Sequence, residues 1–175
     1  MKIILFNGPP SSGKDTFGEM LYAQMLDQWY NSHDEDLEPC MQSFKTHLID
    51  LVLNYYNIPD CDWVERYNEA KEEPWDLLDG MSQREALQDM SEKKMKPLLG
   101  RDYFGKAIAR RLPVFDDDKL HTNTQVHIFT DGGFVEELQP IMDKAGIENV
   151  LIIRLHREGC DFSIDTRAYL DIEGV

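Results

Sequence analysis

Short apolar runs alternate with stretches of helical periodicity along this chain. Residues 2–7 (KIILFN) form an apolar run that ends in turn residues, which predicts a buried strand. After Gly13 the apolar residues recur at helical spacing, which predicts a helix that ends near Asn31. The same criteria predict four more strands, over 39–44, 126–129, 150–155 and 169–172. They also predict helices over 45–56, 82–96, 102–111 and 136–145. This alternation indicates an α/β domain with a mostly parallel sheet.

Local signals refine several of these elements. Ser82, with Glu85 three residues later, predicts a capping box at the start of the helix over 82–96. Gly146 is placed to end the helix over 136–145. Residues 60–80 carry eight acidic side chains against two basic ones, which indicates a solvated helix and loop. We find no internal repeat and no clear boundary, so the sequence predicts one domain over residues 1–175.

Composition and charge exclude several classes of function. Lys and Arg number 18 against 33 Asp and Glu, a formal net charge of −15, which argues against binding to nucleic acid or to an anionic membrane surface. A hydrophobic fraction of 42% excludes an acidic disordered chain. The N-terminal apolar run is too short for a secretory signal, and no run of about 20 apolar residues could span a bilayer. Three widely spaced cysteines without a CxxC motif predict a reducing, cytoplasmic location.

The strongest chemical signal is a glycine-rich segment between the first strand and the first helix. Residues 8–16 (GPPSSGKDT) have the G-x-x-x-x-G-K frame of a phosphate-binding P-loop in the required strand–helix context. Backbone N–H groups and the helix N-terminus would face phosphate oxygens, with Lys14 along the β- and γ-phosphates. The predicted binding residues are Gly8, Ser11, Ser12, Gly13, Lys14, Asp15 and Thr16. The alternative is a glycine-rich turn that caps an ordinary helix and leaves Lys14 solvated.

One position departs from the usual P-loop, and a second acidic residue fits beside it. Asp15 stands where Ser or Thr usually binds magnesium, and Thr16 follows. Magnesium prefers oxygen ligands, so the candidates to hold it are Asp15, Thr16 and Asp131. Asp15 could also act as a base or orient a phosphoryl acceptor. Asp131 follows the strand over 126–129, where the Walker-B carboxylate of a P-loop protein lies. Asp131 could also be the N-cap of the following helix.

The order of short motifs resembles a known family. The chain is similar to the deoxynucleoside monophosphate kinases of tailed bacteriophages, which are adenylate-kinase-like P-loop proteins. The segments that carry the resemblance occur in the family's order, at residues 13–16, 42–45, 82–88, 99–104, 130–137, 154–159 and 165–169. Lys45 replaces the family's small residue. Longer members continue with a further helix beyond the position of Val175, so we expect a shortened adenine or lid region.

The resemblance implies both a fold and a reaction. The fold is the P-loop nucleoside monophosphate kinase-like fold, a mostly parallel sheet flanked by helices with a short lid. The reaction converts ATP and a deoxynucleoside monophosphate to ADP and the diphosphate, with Mg²⁺ as cofactor. The implied partners are these small nucleotides, with no nucleic acid and no membrane, and the family often forms homodimers.

The resemblance also implies roles for particular residues. Arg84 and Arg101 would bind the acceptor phosphate, and Gln88 and Phe134 the acceptor base. Further substrate-binding candidates are Ser43, Phe44, Lys45, Asp131 and Glu136. The lid arginines over the transferring phosphoryl group would be Arg154, Arg157 and Arg167, the last also binding ATP. Arg84 and Arg101 could instead pair with neighbouring acids, and Phe134 could be a core residue.

Two other functions fit the same sequence. One is a P-loop kinase of another small phosphorylated metabolite, such as phosphomevalonate or dephospho-coenzyme A. The other is a catalytically silent nucleotide-binding protein that acts through a partner.

Overall fold

A computed structural model describes residues 1–31, 37–113, 124–163, 165 and 167–175. The chain forms two compact units, here called the sheet unit (residues 1–44 and 105–175) and the helical unit (residues 45–104). Two compact units can make up one domain, so the single domain over 1–175 stays a prediction. Among the described residues, no helix combines the length and apolar composition that a membrane span requires.

The sheet unit is built on a parallel sheet. Its strands are β1 (Lys2–Asn7), β2 (Leu37–Gln42), β3 (Thr124–Phe129) and β4 (Val150–Arg154), in the order β2-β3-β1-β4. All three strand pairings are parallel, so the predicted α/β class with a parallel sheet is confirmed. β1 lies between β3 and β4, with Leu5 opposite Phe129 on one side and Ile152 on the other. The carboxyl ends of these three strands therefore meet at one edge of the sheet, where α/β proteins bind ligands.

The helices fall close to their predicted positions. Helices α1 to α7 span Lys14–Asn31, Phe44–Tyr56, Asp60–Ala70, Gln83–Gln88, Lys96–Leu99, Tyr103–Arg111 and Val135–Ala145. A π-helical segment, Asp89–Met95, joins α4 to α5, and short 3₁₀ turns occupy Asp76–Leu78 and Ile147–Asn149. The capping box of Ser82 and Glu85 is confirmed in both directions. Gly146 ends α7 as predicted, with φ at +83°.

The strand predicted over 169–172 is wrong. That segment has no strand pairing in the structure. The N–H of Leu170 instead donates to the side-chain oxygen of Asn7, 2.8 Å away. The run of three aspartates at 116–118, for which the sequence predicts a loop, lies outside the described residues.

Each unit has its own buried core. In the sheet unit, consecutive positions of β1 and β3 are buried, among them Leu5, Phe6, Ile128 and Phe129. Such continuous burial is expected for a parallel strand covered on both faces. In the helical unit, Trp63 and Leu78 lie in a cluster with Val52 and Met90. The acidic segment 60–80 is therefore not solvated throughout, although its acidic side chains are exposed.

His127 is a polar residue buried in the centre of β3. It is 3% exposed, and neither ring nitrogen has a hydrogen-bond partner among the described residues. Burial lowers its pKa below the ordinary value of 6.5, because the charged form loses its hydration. We expect His127→Leu to raise the free energy of unfolding by about 1–2 kcal/mol at pH 7, since it removes unsatisfied buried polar atoms.

The stability that His127→Leu gains over the wild type should increase as the pH falls. As the pH falls below 6.5, His127 takes up more protons in the unfolded chain than in the native one, because its native pKa is lowered. The wild type therefore loses stability that the variant keeps. Urea denaturation at pH 7.5 and 5.5 measures both effects. His47→Leu is the control. Nε2 of His47 lies 2.9 Å from the hydroxyl of Tyr103, so this substitution should not raise the free energy of unfolding. An unchanged or lower stability of His127→Leu at both pH values would contradict the interpretation.

Candidate phosphate-binding site

The loop between β1 and α1 has the compact backbone that a phosphate-binding loop needs. A Cβ on Gly8 would lie 2.7 Å from Oγ of Ser12 and 2.8 Å from the carbonyl oxygen of Leu155, so no larger residue fits there. Gly13 adopts φ of +97°, a conformation that side chains rarely allow. Ser11 is left-handed as well, with φ of 60°. The loop therefore turns sharply into the N-terminus of α1.

Lys14 reaches back across this loop. Its ammonium donates to the carbonyl oxygens of Gly8 at 2.8 Å and of Pro9 at 2.7 Å. Oγ of Ser12 is buried and has no hydrogen-bond partner among the described residues. Buried polar atoms are almost always satisfied in native proteins, so such an atom inside the loop indicates a place for a polar ligand. The loop thus joins a cation, an unsatisfied hydroxyl and the positive end of an 18-residue helix.

Asp15 and Thr16 occupy the first turn of α1, and both are exposed. Their oxygens are the hard ligands that magnesium prefers. Among the described residues, no group of three or more His, Cys, Asp and Glu side chains could hold a metal ion. Magnesium is commonly held by one or two protein oxygens together with substrate phosphates, so these residues fit a magnesium ion that arrives with a nucleotide.

Asp131 lies at the carboxyl end of β3, next to the strand that carries the loop. Its Oδ2 accepts a hydrogen bond from the hydroxyl of Ser43 at 2.5 Å, and its Oδ1 accepts one from the N–H of Phe44 at 3.1 Å. Phe44 is the first residue of α2, so Asp131 caps that helix. The sequence had suggested a cap on the following helix, α7. Its N-cap residue is Phe134, which makes no side-chain cap hydrogen bond.

The structure brings one of the three predicted lid arginines to the loop. Nη1 of Arg157 donates to the carbonyl oxygen of Ser11 at 3.0 Å. Arg154, at the end of β4, forms an exposed ion pair with Asp171 at 2.9 Å. Of the two, Arg157 is therefore the one placed in contact with the loop in this structure.

Arg167 belongs to a network of charges beside the loop. Its guanidinium is held by the carboxylate of Asp165, with Nε 2.9 and 3.0 Å from the two oxygens. This pairing holds the pKa of Asp165 below its usual range and raises that of Arg167. Lys14 also lowers the pKa of Asp165, while Asp131 and Glu137 raise that of Arg167. These charges therefore influence one another electrostatically, although they come from four separate segments.

Two residues of this network were not among the predicted site residues. Asp165 could have been found from the Asp-x-Arg spacing with Arg167. In the sequence, Glu137 is one of two acidic residues in the first turn of a predicted helix. Its burial depends on the tertiary structure, so no local pattern indicates it. The stem of Arg167 passes over Gly133, where a Cβ would lie 2.4 Å from its Cδ. Gly133 thus leaves room for this arginine, while Gly132 leaves room for the side chains of Leu5 and Phe44.

The remaining predicted residues are divided between the two units. In the sheet unit, Phe134 is half-buried and Glu136 is exposed. In the helical unit, Lys45, Gln88 and Arg101 are exposed. Arg84 forms an exposed ion pair with Glu72 at 2.9 Å, which agrees with the simpler interpretation of that residue. Their roles in binding an acceptor stay predictions.

Asn7 anchors the C-terminal segment next to the loop. Its side chain is 1% exposed, accepts from the N–H of Leu170 and lies 3.4 Å from the carbonyl oxygen of Ala168. We expect Asn7→Ala to lower the free energy of unfolding by about 2 kcal/mol, because a buried N–H loses its acceptor. Asn31→Ala is the matched control, since Asn31 makes its hydrogen bond to Asp27 on an exposed helix face. Equal urea midpoints for the two variants would disprove the anchoring role.

Comparisons with protein-family models, with curated proteins and with solved structures find no match to this chain. The family that the motifs resemble therefore stays a prediction. What the structure establishes is an α/β architecture with a four-stranded parallel sheet and helices beside it.

Proposed function

We propose that this protein is a P-loop kinase that transfers the γ-phosphoryl group of ATP to a deoxynucleoside monophosphate. The observation that carries the proposal is the loop after β1, in which Lys14 and the buried hydroxyl of Ser12 lie at the N-terminus of α1. This arrangement suits the phosphates of a nucleoside triphosphate. The choice of acceptor rests on the order of the motifs along the chain.

The charges around the loop support phosphoryl transfer in particular. Transfer requires positioning of the two phosphates and neutralisation of the charge that spreads over the transferring group. Lys14 and Arg157 both contact the loop backbone, and Arg167 belongs to the same electrostatic network. A phosphate entering the loop would offer Lys14 and Arg157 anionic acceptors in place of neutral carbonyl oxygens, which adds the attraction between opposite charges.

Magnesium would enter this site with ATP. Asp15 or Thr16 would hold the ion, which neutralises charge on the β- and γ-phosphates when bound. Asp131 already accepts two hydrogen bonds that fix the start of α2. Its contribution in the proposed site is to fix Ser43 and Phe44 beside the end of β3.

A coupled assay of ADP release tests the proposal. The full chain is assayed with Mg-ATP against all deoxynucleoside and nucleoside monophosphates, with phosphomevalonate and dephospho-coenzyme A as further acceptors. We expect turnover with one or more deoxynucleoside monophosphates. Turnover with only a non-nucleotide acceptor would replace the proposed substrate. No turnover with any acceptor, together with Lys14-dependent ATP binding, would favour a silent nucleotide-binding protein.

A further inference from the structure

Residues 155–157 lie directly against the loop. The carbonyl oxygen of Leu155 is 2.8 Å from the position that a Cβ on Gly8 would take. Two residues later, Nη1 of Arg157 is 3.0 Å from the carbonyl oxygen of Ser11. His156 stands between these two contacts and is exposed. An exposed aromatic ring is therefore held at the rim of the candidate phosphate site.

The ring of His156 rests on a second aromatic ring. His156 and Tyr169 are stacked, with centroids 4.4 Å apart and an interplanar angle of 29°. Phe162 packs against Tyr169 in a T-shaped arrangement, with ring centroids 5.1 Å apart and an interplanar angle of 89°. Since Tyr169 covers one face of His156, the exposed surface of that ring is its opposite face and its edge.

This aromatic stack is fixed in place from several directions. The hydroxyl of Tyr169 donates to the carbonyl oxygen of Leu155 at 3.0 Å. The neighbours of Tyr169 on both sides, Ala168 and Leu170, are held by the buried side chain of Asn7. Asn7 is also the last residue of β1, from which the loop emerges. The stack and the loop therefore share one rigid support, which reduces the entropy lost when a ligand binds.

We propose that the exposed face of His156 is a stacking platform for the nucleobase of the nucleotide whose phosphates bind the loop. This inference rests on the proposed function. Every nucleobase offers a π-face to an aromatic ring, and such stacking contributes substantially to nucleotide affinity. Such a platform would bind a nucleotide more tightly than a bare polyphosphate, because only the nucleotide has a base. The loop binds phosphates, which both ligands carry.

The test compares a ligand that has a base with one that lacks it. Isothermal titration measures binding of Mg-ATP and of Mg-tripolyphosphate to the wild type and to His156→Ala, His156→Phe and Lys14→Ala. We expect His156→Ala to weaken ATP about 5- to 100-fold and to leave tripolyphosphate unchanged. His156→Phe keeps an aromatic face and should retain ATP affinity. Tyr30→Ala, which removes an exposed aromatic ring on α1, is the control and should change neither affinity.

A spectroscopic readout separates stacking from a structural effect. The ring protons of His156 should shift in the NMR spectrum when Mg-ATP is added, and not when Mg-tripolyphosphate is added, because only the base supplies a ring current. Equal losses of both ligands in His156→Ala, or no loss of either, would overturn the platform while leaving the kinase proposal intact. If the wild type binds neither ligand in a Lys14-dependent way, the proposed function fails, and the platform with it.

Discussion

Lys14→Ala should lower the rate of phosphoryl transfer about 10²- to 10³-fold, which is typical for the loss of one group that stabilises a transition state. The Lys14 ammonium lies within the loop, where it donates to two backbone carbonyl oxygens. In the proposed complex it neutralises charge on the β- and γ-phosphates, so its loss raises the barrier to transfer. Steady-state kinetics with saturating Mg-ATP measure the effect on kcat.

The fold should survive this substitution. The two carbonyl oxygens that Lys14 contacts are only partly buried, and we expect a cost of about 1 kcal/mol and a fall in Tm of roughly 2–4 °C. Lys93→Ala is the matched control, because Lys93 is 79% exposed and pairs with Asp89 in the helical unit. A Lys14→Ala variant that keeps the turnover of Lys93→Ala would refute the role of the loop.

Gly105→Ala should destabilise the protein by about 3 kcal/mol or more. Gly105 lies in α6, and a Cβ there would be 1.9 Å from the carbonyl oxygen of Glu137 and 2.7 Å from its carbonyl carbon. These are backbone atoms of α7, which cannot rotate away as a side chain could. An ordinary helical Gly→Ala change would instead add about 1 kcal/mol of stability, so the sign of the effect is diagnostic.

Thermal unfolding measures this cost, which corresponds to a fall in Tm of roughly 6–12 °C for a chain of this length. The control is Gly80→Ala. A Cβ on Gly80 would meet nothing within 4 Å, but the backbone of Gly80 is left-handed, with φ of +80°. That strain alone should cost about 1–2 kcal/mol. If Gly105→Ala were no worse than Gly80→Ala, the close approach of α6 to α7 would not hold in solution.

The parts of the fold and site that the sequence predicted well depend on local interactions. The apolar run of β1, the glycine spacing and the helical periodicity after Gly13 all lie within residues 2–31, so one window of sequence contains the whole loop. The capping box of Ser82 and Glu85 spans three residues and was equally visible. Each of these features is decided by neighbours along the chain.

The features that the sequence did not reveal depend on distant pairs. Asp131 caps a helix that begins 87 residues earlier, so no local pattern could distinguish this from a cap on the helix that follows it. The segment over 169–172 has the alternation of a strand. The N–H of Leu170, however, donates to the side-chain oxygen of Asn7, 163 residues away, and is therefore not available for strand pairing. Trp63 is buried although acidic residues surround it in sequence, because most of the buried residues in its cluster come from other segments of the helical unit.

The position of β1 in the sheet also sets an order of events on the ribosome. β1 is synthesised well before its two neighbours in the sheet, β3 and β4, which are completed only at residues 129 and 154. At about 5–20 residues per second, β1 waits roughly 7–30 s before it can be enclosed on both sides. The helical unit is one continuous segment, residues 45–104, and can form its contacts during that wait. When a nascent chain is stalled shortly after the helical unit emerges, that unit should therefore resist protease while the loop after β1 is still unformed.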